Sequence, residues 1–220
     1  MKKFYTLALA IALTFIVSGG AALAQGGSGT GTGSGMGTGS GAGDGNGMGE
    51  NKAEAGKPVA DFSLPDVDGK THSLASLKGK NGTVLIFIST QCPVSNAYNE
   101  RMEKLAQDYQ SRGVAVIGIN ANATESADDI KAHAAEHKLT FMILKDKGNK
   151  VADQLEATNT PEVFLLDASG KLVYRGRIDN SRNGQSISSN DLRDAIDATL
   201  AGKPVANSFV RAFGCSIKRG

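Results

Sequence analysis

The run Thr83-Val84-Leu85-Ile86-Phe87-Ile88, followed after three residues by Cys92-Pro93-Val94-Ser95, decides how this chain folds. Its first part is a continuous stretch of apolar and β-branched residues, the signature of a strand buried on both faces. Pro93 suits the first turn of a helix, where its missing N–H is not needed and its φ is already helical. Tyr98, Met102, Leu105 and Tyr109 follow at spacings of four, three and four, which predicts one apolar helical stripe ending at Arg112-Gly113. The junction therefore places a cysteine at the start of a helix. There the unpaired N–H groups and the positive end of the helix dipole favour thiolate over thiol, below the free value of about 8.5. Ser95, one turn on, is expected to offer its hydroxyl to that thiolate, although it cannot resolve a mixed disulfide.

Working outward, Phe62–Leu64 and Lys70–Ser73 flank an Asp68-Gly69 turn and predict a short hairpin. Downstream, 114–119 predicts a second buried strand, and Thr124 is expected to cap a helix from about Glu125 to His137, with Glu125, Asp128 and Asp129 in its first turns. A short strand at 141–144, a short helix at 150–155 and two strands at 162–166 and 172–177 come next, the last two joined by Asp167-Ala168-Ser169-Gly170. Residues 191–201 predict a closing helix that Gly202-Lys203-Pro204 stops. Alternating strands and helices give parallel pairs, and the late hairpin adds antiparallel edges. The expected fold is α/β: a mixed central sheet flanked by helices, with an N-terminal hairpin.

The N-terminal region has another character. Lys2 and Lys3, the apolar run from Phe4 to Val17 and Ala22-Leu23-Ala24 read as a signal peptide over residues 1–24, cleaved after Ala24. The apolar run is short for a membrane span, and no cysteine follows it to carry a lipid, so no stable membrane insertion is expected after cleavage. Residues 25–50 alternate glycine with small residues and predict a disordered tether, leaving one domain over 51–220. Without Lys2 and Lys3 the charges balance at 22 of each sign. A neutral domain has no electrostatic footprint for nucleic acid. The expected location is periplasmic or extracellular, where two cysteines permit a disulfide.

Cys92-Pro93, Thr160-Pro161-Glu162-Val163-Phe164-Leu165-Leu166-Asp167, Tyr174-Arg175-Gly176-Arg177-Ile178-Asp179 and Gly214-Cys215-Ser216-Ile217-Lys218 stand in an order that resembles the thioredoxin superfamily. The chain is similar in particular to the redoxin branch, the alkyl hydroperoxide reductase/thiol-specific antioxidant type, of exported thioredoxin-family proteins. The resemblance implies a thioredoxin-like fold, a cis Thr160–Pro161 bond opposite Cys92, and a loop whose backbone before Pro161 meets a peptide or disulfide substrate. It implies redox chemistry with an external thiol donor and no cofactor. Two departures matter. The common Cys-x-x-Cys is here Cys92-Pro93-Val94-Ser95, and the threonine that peroxiredoxins carry three residues before their cysteine is absent.

With no second thiol beside Cys92, the candidate resolver is Cys215, 123 positions downstream. Gly214 suits a close approach, and Val205, Phe209, Val210 and Phe213 are expected to fold the tail over the domain. An inert staple is the other reading, because closing so long a loop constrains the unfolded chain by about 5 kcal/mol. A staple, however, does not need a thiol at a helix start. The expected activity is thiol–disulfide exchange; the alternatives are a thiol peroxidase and a non-catalytic binding module with a structural disulfide. Substrates would be protein or small-molecule thiols and disulfides, or peroxide. Arg175 and Arg177 are placed to support the site, though arginine near a sheet edge is most often a solvated guard against aggregation. His133-Ala134-Ala135-Glu136-His137 matches a zinc-peptidase pattern with no third ligand in any evident place, so no metal is expected.

Overall fold

The computed structural model describes residues 54–220; the expected signal peptide and the whole glycine-rich tether lie outside the described residues. Strands β1 (Ser63–Pro65) and β2 (Thr71–Ser73) form the expected antiparallel hairpin. Asp66 closes its turn by accepting from the N–H groups of Asp68 and Lys70, both at 2.9 Å. A short helix, α1 (Leu74–Leu77), follows.

The central sheet has five strands in the order β5-β4-β3-β7-β8. At its centre β3 (Gly82–Phe87) runs parallel to β4 (Val114–Asn120), which pairs in turn with β5 (Met142–Lys145). On the other side β7 (Glu162–Asp167) is antiparallel to β3, and β8 (Leu172–Gly176) is antiparallel to β7. Alternate residues of β3 feed two cores, as the period of a strand requires. Val84 and Ile86 pack with Met102, Leu105, Leu192 and Ile196 on one face, beneath α3 (Asn99–Gln110), α4 (Ala127–Glu136) and α6 (Asp191–Leu200). Leu85 and Phe87 pack with Ile117, Phe164, Val151 and Leu155 on the other, beneath the hairpin and α5 (Lys150–Gln154). Each such side chain removed from water contributes about 1.5–3 kcal/mol, which is why the unbroken apolar run becomes the central strand. This is the thioredoxin-like architecture that the motif order implied. Among the described residues no helix is long and apolar enough to cross a membrane.

Three local expectations are corrected. The helix opening at Pro93 is not continuous: α2 (Pro93–Asn96) ends after four residues and α3 begins beyond Tyr98. The turn between them tightens to a bond from Tyr98 N–H to the Ser95 carbonyl at 3.0 Å, a 3₁₀-type closure. Thr124 does not cap α4. Ser126 does, in a reciprocal box with Asp129, and Glu125 is left outside the helix. Of the four tail residues expected to fold over the domain, Val205, Val210 and Phe213 pack against one core, whereas Phe209 is 66% exposed; Ile217 enters the other core.

The tail takes a defined path. It runs beside β8, where Val210 N–H donates to the Arg175 carbonyl at 3.0 Å. It then crosses to form β9 (Cys215–Ser216), antiparallel to β6 (Asn159–Thr160). Phe213 meets Tyr98 with ring centroids 6.5 Å apart. The Tyr98 hydroxyl donates to Asp179 at 3.0 Å, and the guanidinium of Arg101 donates to the same carboxylate at 2.6 Å while stacking over the Tyr98 ring. Asp179 is nearly fully buried, so Asp179→Ala takes the carboxylate from Arg101 and Tyr98 and leaves them only backbone carbonyls. It is expected to lower stability by about 3 kcal/mol, read from urea unfolding monitored by circular dichroism.

Candidate functional site

Cys92 stands at the N-cap of α2 and is 2% exposed. The loop before it is held from below. Ser89 Oγ accepts from the N–H of Cys92 at 3.1 Å and of Gln91 at 3.2 Å, and donates to Glu125 at 2.5 Å. Thr90 N–H donates to the other Glu125 oxygen at 2.8 Å. From above, Cys92 Sγ accepts from Ser95 N–H and donates to the Thr160 carbonyl, both at 3.3 Å. The Thr160–Pro161 bond is cis.

The tail completes the site. In the β6–β9 pair Cys215 lies directly opposite Thr160, the residue whose carbonyl touches Cys92. Both cysteines are free thiols, and each lies close enough to shift the ionisation of the other. Gly214 makes this approach sterically open: a Cβ there would lie 2.0 Å from the Thr160 carbonyl oxygen.

The thiols are electrostatically unequal. Burial pushes the Cys92 thiol up, but hydrogen bonds from the Cys215 thiol, the Ser95 N–H and Thr160 outweigh it and hold Cys92 below its ordinary value. The Thr160 hydroxyl is buried and has no other acceptor among the described residues, which leaves its proton for a charge on Cys92. Cys215 shifts up because its proton bonds to Cys92, with burial and the Cys92 charge adding to that. Cys92 is thus the thiol that ionises first, and Cys215 the one that keeps its proton. Removing the Cys215 donor by Cys215→Ala is expected to move the Cys92 ionisation midpoint upward, measured by thiolate absorbance near 240 nm across pH.

Of the residues singled out by sequence, Cys92, Pro93, Ser95, Thr160, Pro161 and Cys215 come together. Ser95 does so differently from expectation: its N–H meets the thiol, while its hydroxyl accepts from Ser89 N–H at 3.1 Å. Because α2 spans only four residues, that N–H rather than a long helix dipole is what reaches Sγ. Arg175 and Arg177 stay outside the site. Arg175 Nε pairs with Glu162 at 2.8 Å, and Arg177 Nε with Asp191 at 2.7 Å. Both are partly buried bracing pairs, neither solvated guards nor partners of Cys92. His133 faces Asn99 at 3.1 Å and His137 at 4.3 Å between ring centroids, a contact between α3 and α4.

Glu125 is the site residue that sequence reasoning misplaced. Burial pushes its carboxyl up, yet donors from Ser89, Thr90 and Asn120 overcome this and keep it ionised. The available signal was the complete capping box of Ser126 and Asp129, which leaves an acidic residue just before it with no helical use.

Known proteins resemble this chain over part of its length. The AhpC/TSA family model matches residues 55–175, more than half of the chain, and stops short of Cys215. The chain is 33% identical over 126 residues to thiol-disulfide oxidoreductase ResA of Bacillus cereus, covering 57% of this chain and 71% of that protein. It is 34% identical over 121 residues to the ResA of Halalkalibacterium halodurans, covering 55% and 67%. Among solved structures, a hypothetical protein from Sinorhizobium meliloti aligns with a TM-score of 0.71 at 37% identity over 77% of this chain and 97% of that one. An uncharacterized conserved protein from Geobacillus kaustophilus aligns with a TM-score of 0.72 at 34% identity over 77% and 94%.

Proposed function

Because this chain belongs to the AhpC/TSA family, we propose that it is an exported thiol–disulfide oxidoreductase with Cys92 as nucleophile and Cys215 as resolving thiol. The observation that carries this reading is the β6–β9 pair, which sets Cys215 against Cys92 at the cis-Pro161 loop. The names of the ResA relatives, thiol-disulfide oxidoreductases, agree with it.

The reaction runs in two exchanges. The Cys92 thiolate attacks a substrate disulfide; a Cys92–substrate bond forms, the substrate S–S bond breaks, and the leaving thiolate takes a proton. Cys215, deprotonated, then attacks Cys92 Sγ; the Cys92–Cys215 bond forms and the second substrate thiol departs. Substrate gains two electrons and two protons, the dithiol becomes a disulfide, and an external thiol donor returns the pair of electrons. The backbone at Thr160–Pro161 is the edge on which an extended substrate would lie, and no cofactor is needed. The layout supporting export is the leader over residues 1–24, a tether over 25–50 and the domain over 51–220.

Peroxide reduction is the weaker reading on this geometry. Position 89, three before Cys92, holds a serine whose hydroxyl is committed to Glu125, and the Arg175 guanidinium is committed to Glu162. Neither is left to polarise a peroxide at Sγ.

Thiol counting before and after mild reduction, with peptide mapping, tests the pairing. One intramolecular Cys92–Cys215 bond under air and two thiols after reduction are expected, with a potential above about −300 mV as for working rather than structural bridges. Two free thiols under air, or pairing only between chains, would overturn the reading.

A further inference from the structure

We propose that Glu125 is the positioning residue of the thiol pair: one carboxylate that seats both the loop carrying Cys92 and the tail carrying Cys215. The inference rests on the Cys92–Cys215 couple proposed above, and it arises from a carboxylate that neither cysteine touches directly.

Five donors converge on Glu125. One oxygen receives the Ser89 hydroxyl at 2.5 Å, the Asn122 amide at 3.1 Å and Gln91 N–H at 3.4 Å. The other receives the Asn120 amide at 2.5 Å and Thr90 N–H at 2.8 Å. An ionised carboxylate only accepts, so it dictates how each neighbour turns. On the Cys92 side, the Ser89 hydroxyl points its proton at Glu125 and must turn its lone pairs to the N–H of Cys92 and Gln91. On the tail side, the Asn122 amide points its NH₂ at Glu125 and must present its oxygen outward. That oxygen accepts from Lys218 N–H at 2.7 Å, while Ala123 N–H donates to the Lys218 carbonyl at 2.7 Å. The tail is thus gripped at two points, three residues beyond Cys215.

Lys145 supplies the opposing charge, donating to the Asn120 side chain at 3.0 Å and to the Asn122 carbonyl at 2.6 Å. The docked tail meets this cluster through Asn122 and Ala123, so a single amide side chain stands between Glu125 and the segment that carries Cys215. A glutamine at position 125 would break this logic. Its amide carries one acceptor and one donor, and whichever way it turns, a set of donors meets NH₂ in place of oxygen.

The test is the thiol–disulfide equilibrium of the mature chain in glutathione redox buffers. Glu125→Gln is expected to move the equilibrium toward the dithiol by at least tenfold, about 30 mV for a two-electron couple. Glu103→Gln is the comparison, because Glu103 also loses donors, from Thr140 and Gln107, but lies away from both cysteines; its constant is expected within twofold of wild type. Ser89→Ala cuts the link to Cys92 and Asn122→Ala the link to the tail. If both act through Glu125, the effect of Asn122→Ala should shrink at least threefold in the Ser89→Ala background. Unchanged constants in Glu125→Gln, or additive effects in the double variant where Glu125→Gln does not fold, overturn the positioning role and leave the couple standing. A wild type that never forms the Cys92–Cys215 bond sinks the couple, and this inference with it.

Discussion

Gly214→Ala is expected to slow closure of the Cys92–Cys215 disulfide by about 100-fold, the loss that a displacement near 1 Å can cause between reacting groups. The added Cβ would lie 2.0 Å from the Thr160 carbonyl oxygen, 2.7 Å from its carbon and 3.2 Å from Pro161 N. All three are main-chain atoms beside the cis bond, so no flexible side chain can yield. The obstructed oxygen is also the one that Cys92 Sγ contacts. The tail must therefore back away from the loop, taking Cys215 with it. Mixing the reduced protein with glutathione disulfide and quenching by alkylation reads this directly: the variant should accumulate the Cys92–glutathione adduct that wild type clears. Gly202→Ala is the comparison, because Gly202 sits at the start of the tail with nothing near its Cβ position. Equal closure rates in Gly214→Ala and wild type would show that the tail does not need its seat at Thr160.

The second large effect separates the two thiols. Cys92→Ser is expected to reduce turnover of insulin or glutathione disulfide to the uncatalysed background, since it removes the thiol whose ionisation the site favours. Cys215→Ser should leave the first exchange in place and stop at the mixed disulfide. Intact mass would show one substrate thiol attached per chain, released by added dithiol. Identical behaviour of the two variants would contradict a division of labour between attack and resolution; unaltered turnover in Cys92→Ser would move the function to binding.

The fold was legible in the sequence because its strongest signals are local. Thr83 to Ile88 is apolar without a break, and only a central strand covered on both faces accommodates that. The stripe of Tyr98, Met102, Leu105 and Tyr109 is equally local, and all four are buried. The break between α2 and α3 was not legible, because a helix-compatible sequence is interrupted there by tertiary contacts: Tyr98 is drawn to Asp179 and Phe213, far away in the chain. Cys92 and the cis-Pro161 loop could be named as a site from their motifs and order. The tail strand could not, since Cys215-Ser216 is too short to show alternation and acquires its partner only when β6 is in place. Ile217, the one core residue of that strand's extension, carries no periodic signal at all. Glu125 was hidden by a plausible local role. Acidic residues at helix starts are common, and only the three-dimensional path shows that Ser126 and Asp129 fill that role between them.

The β6–β9 pair has a kinetic consequence. In a Cys-x-x-Cys site both sulfurs ride on one rigid turn, and their separation hardly changes as substrate comes and goes. In the proposed couple the resolving sulfur rides instead on β9, apart from the turn that carries Cys92, so the rate of resolution would be a matter of effective concentration. Seated on Thr160, Cys215 meets Cys92 at the high local concentration of an oriented neighbour. Lifted away on its tether, it falls to the millimolar range of a flexible linkage. A bulky substrate on the edge of Thr160 would displace the strand that releases it, and so lengthen the life of its own mixed disulfide. A small one leaves the strand in place and is cleared at once. With Cys215 as resolver, the domain would time each exchange by the size of what it has caught.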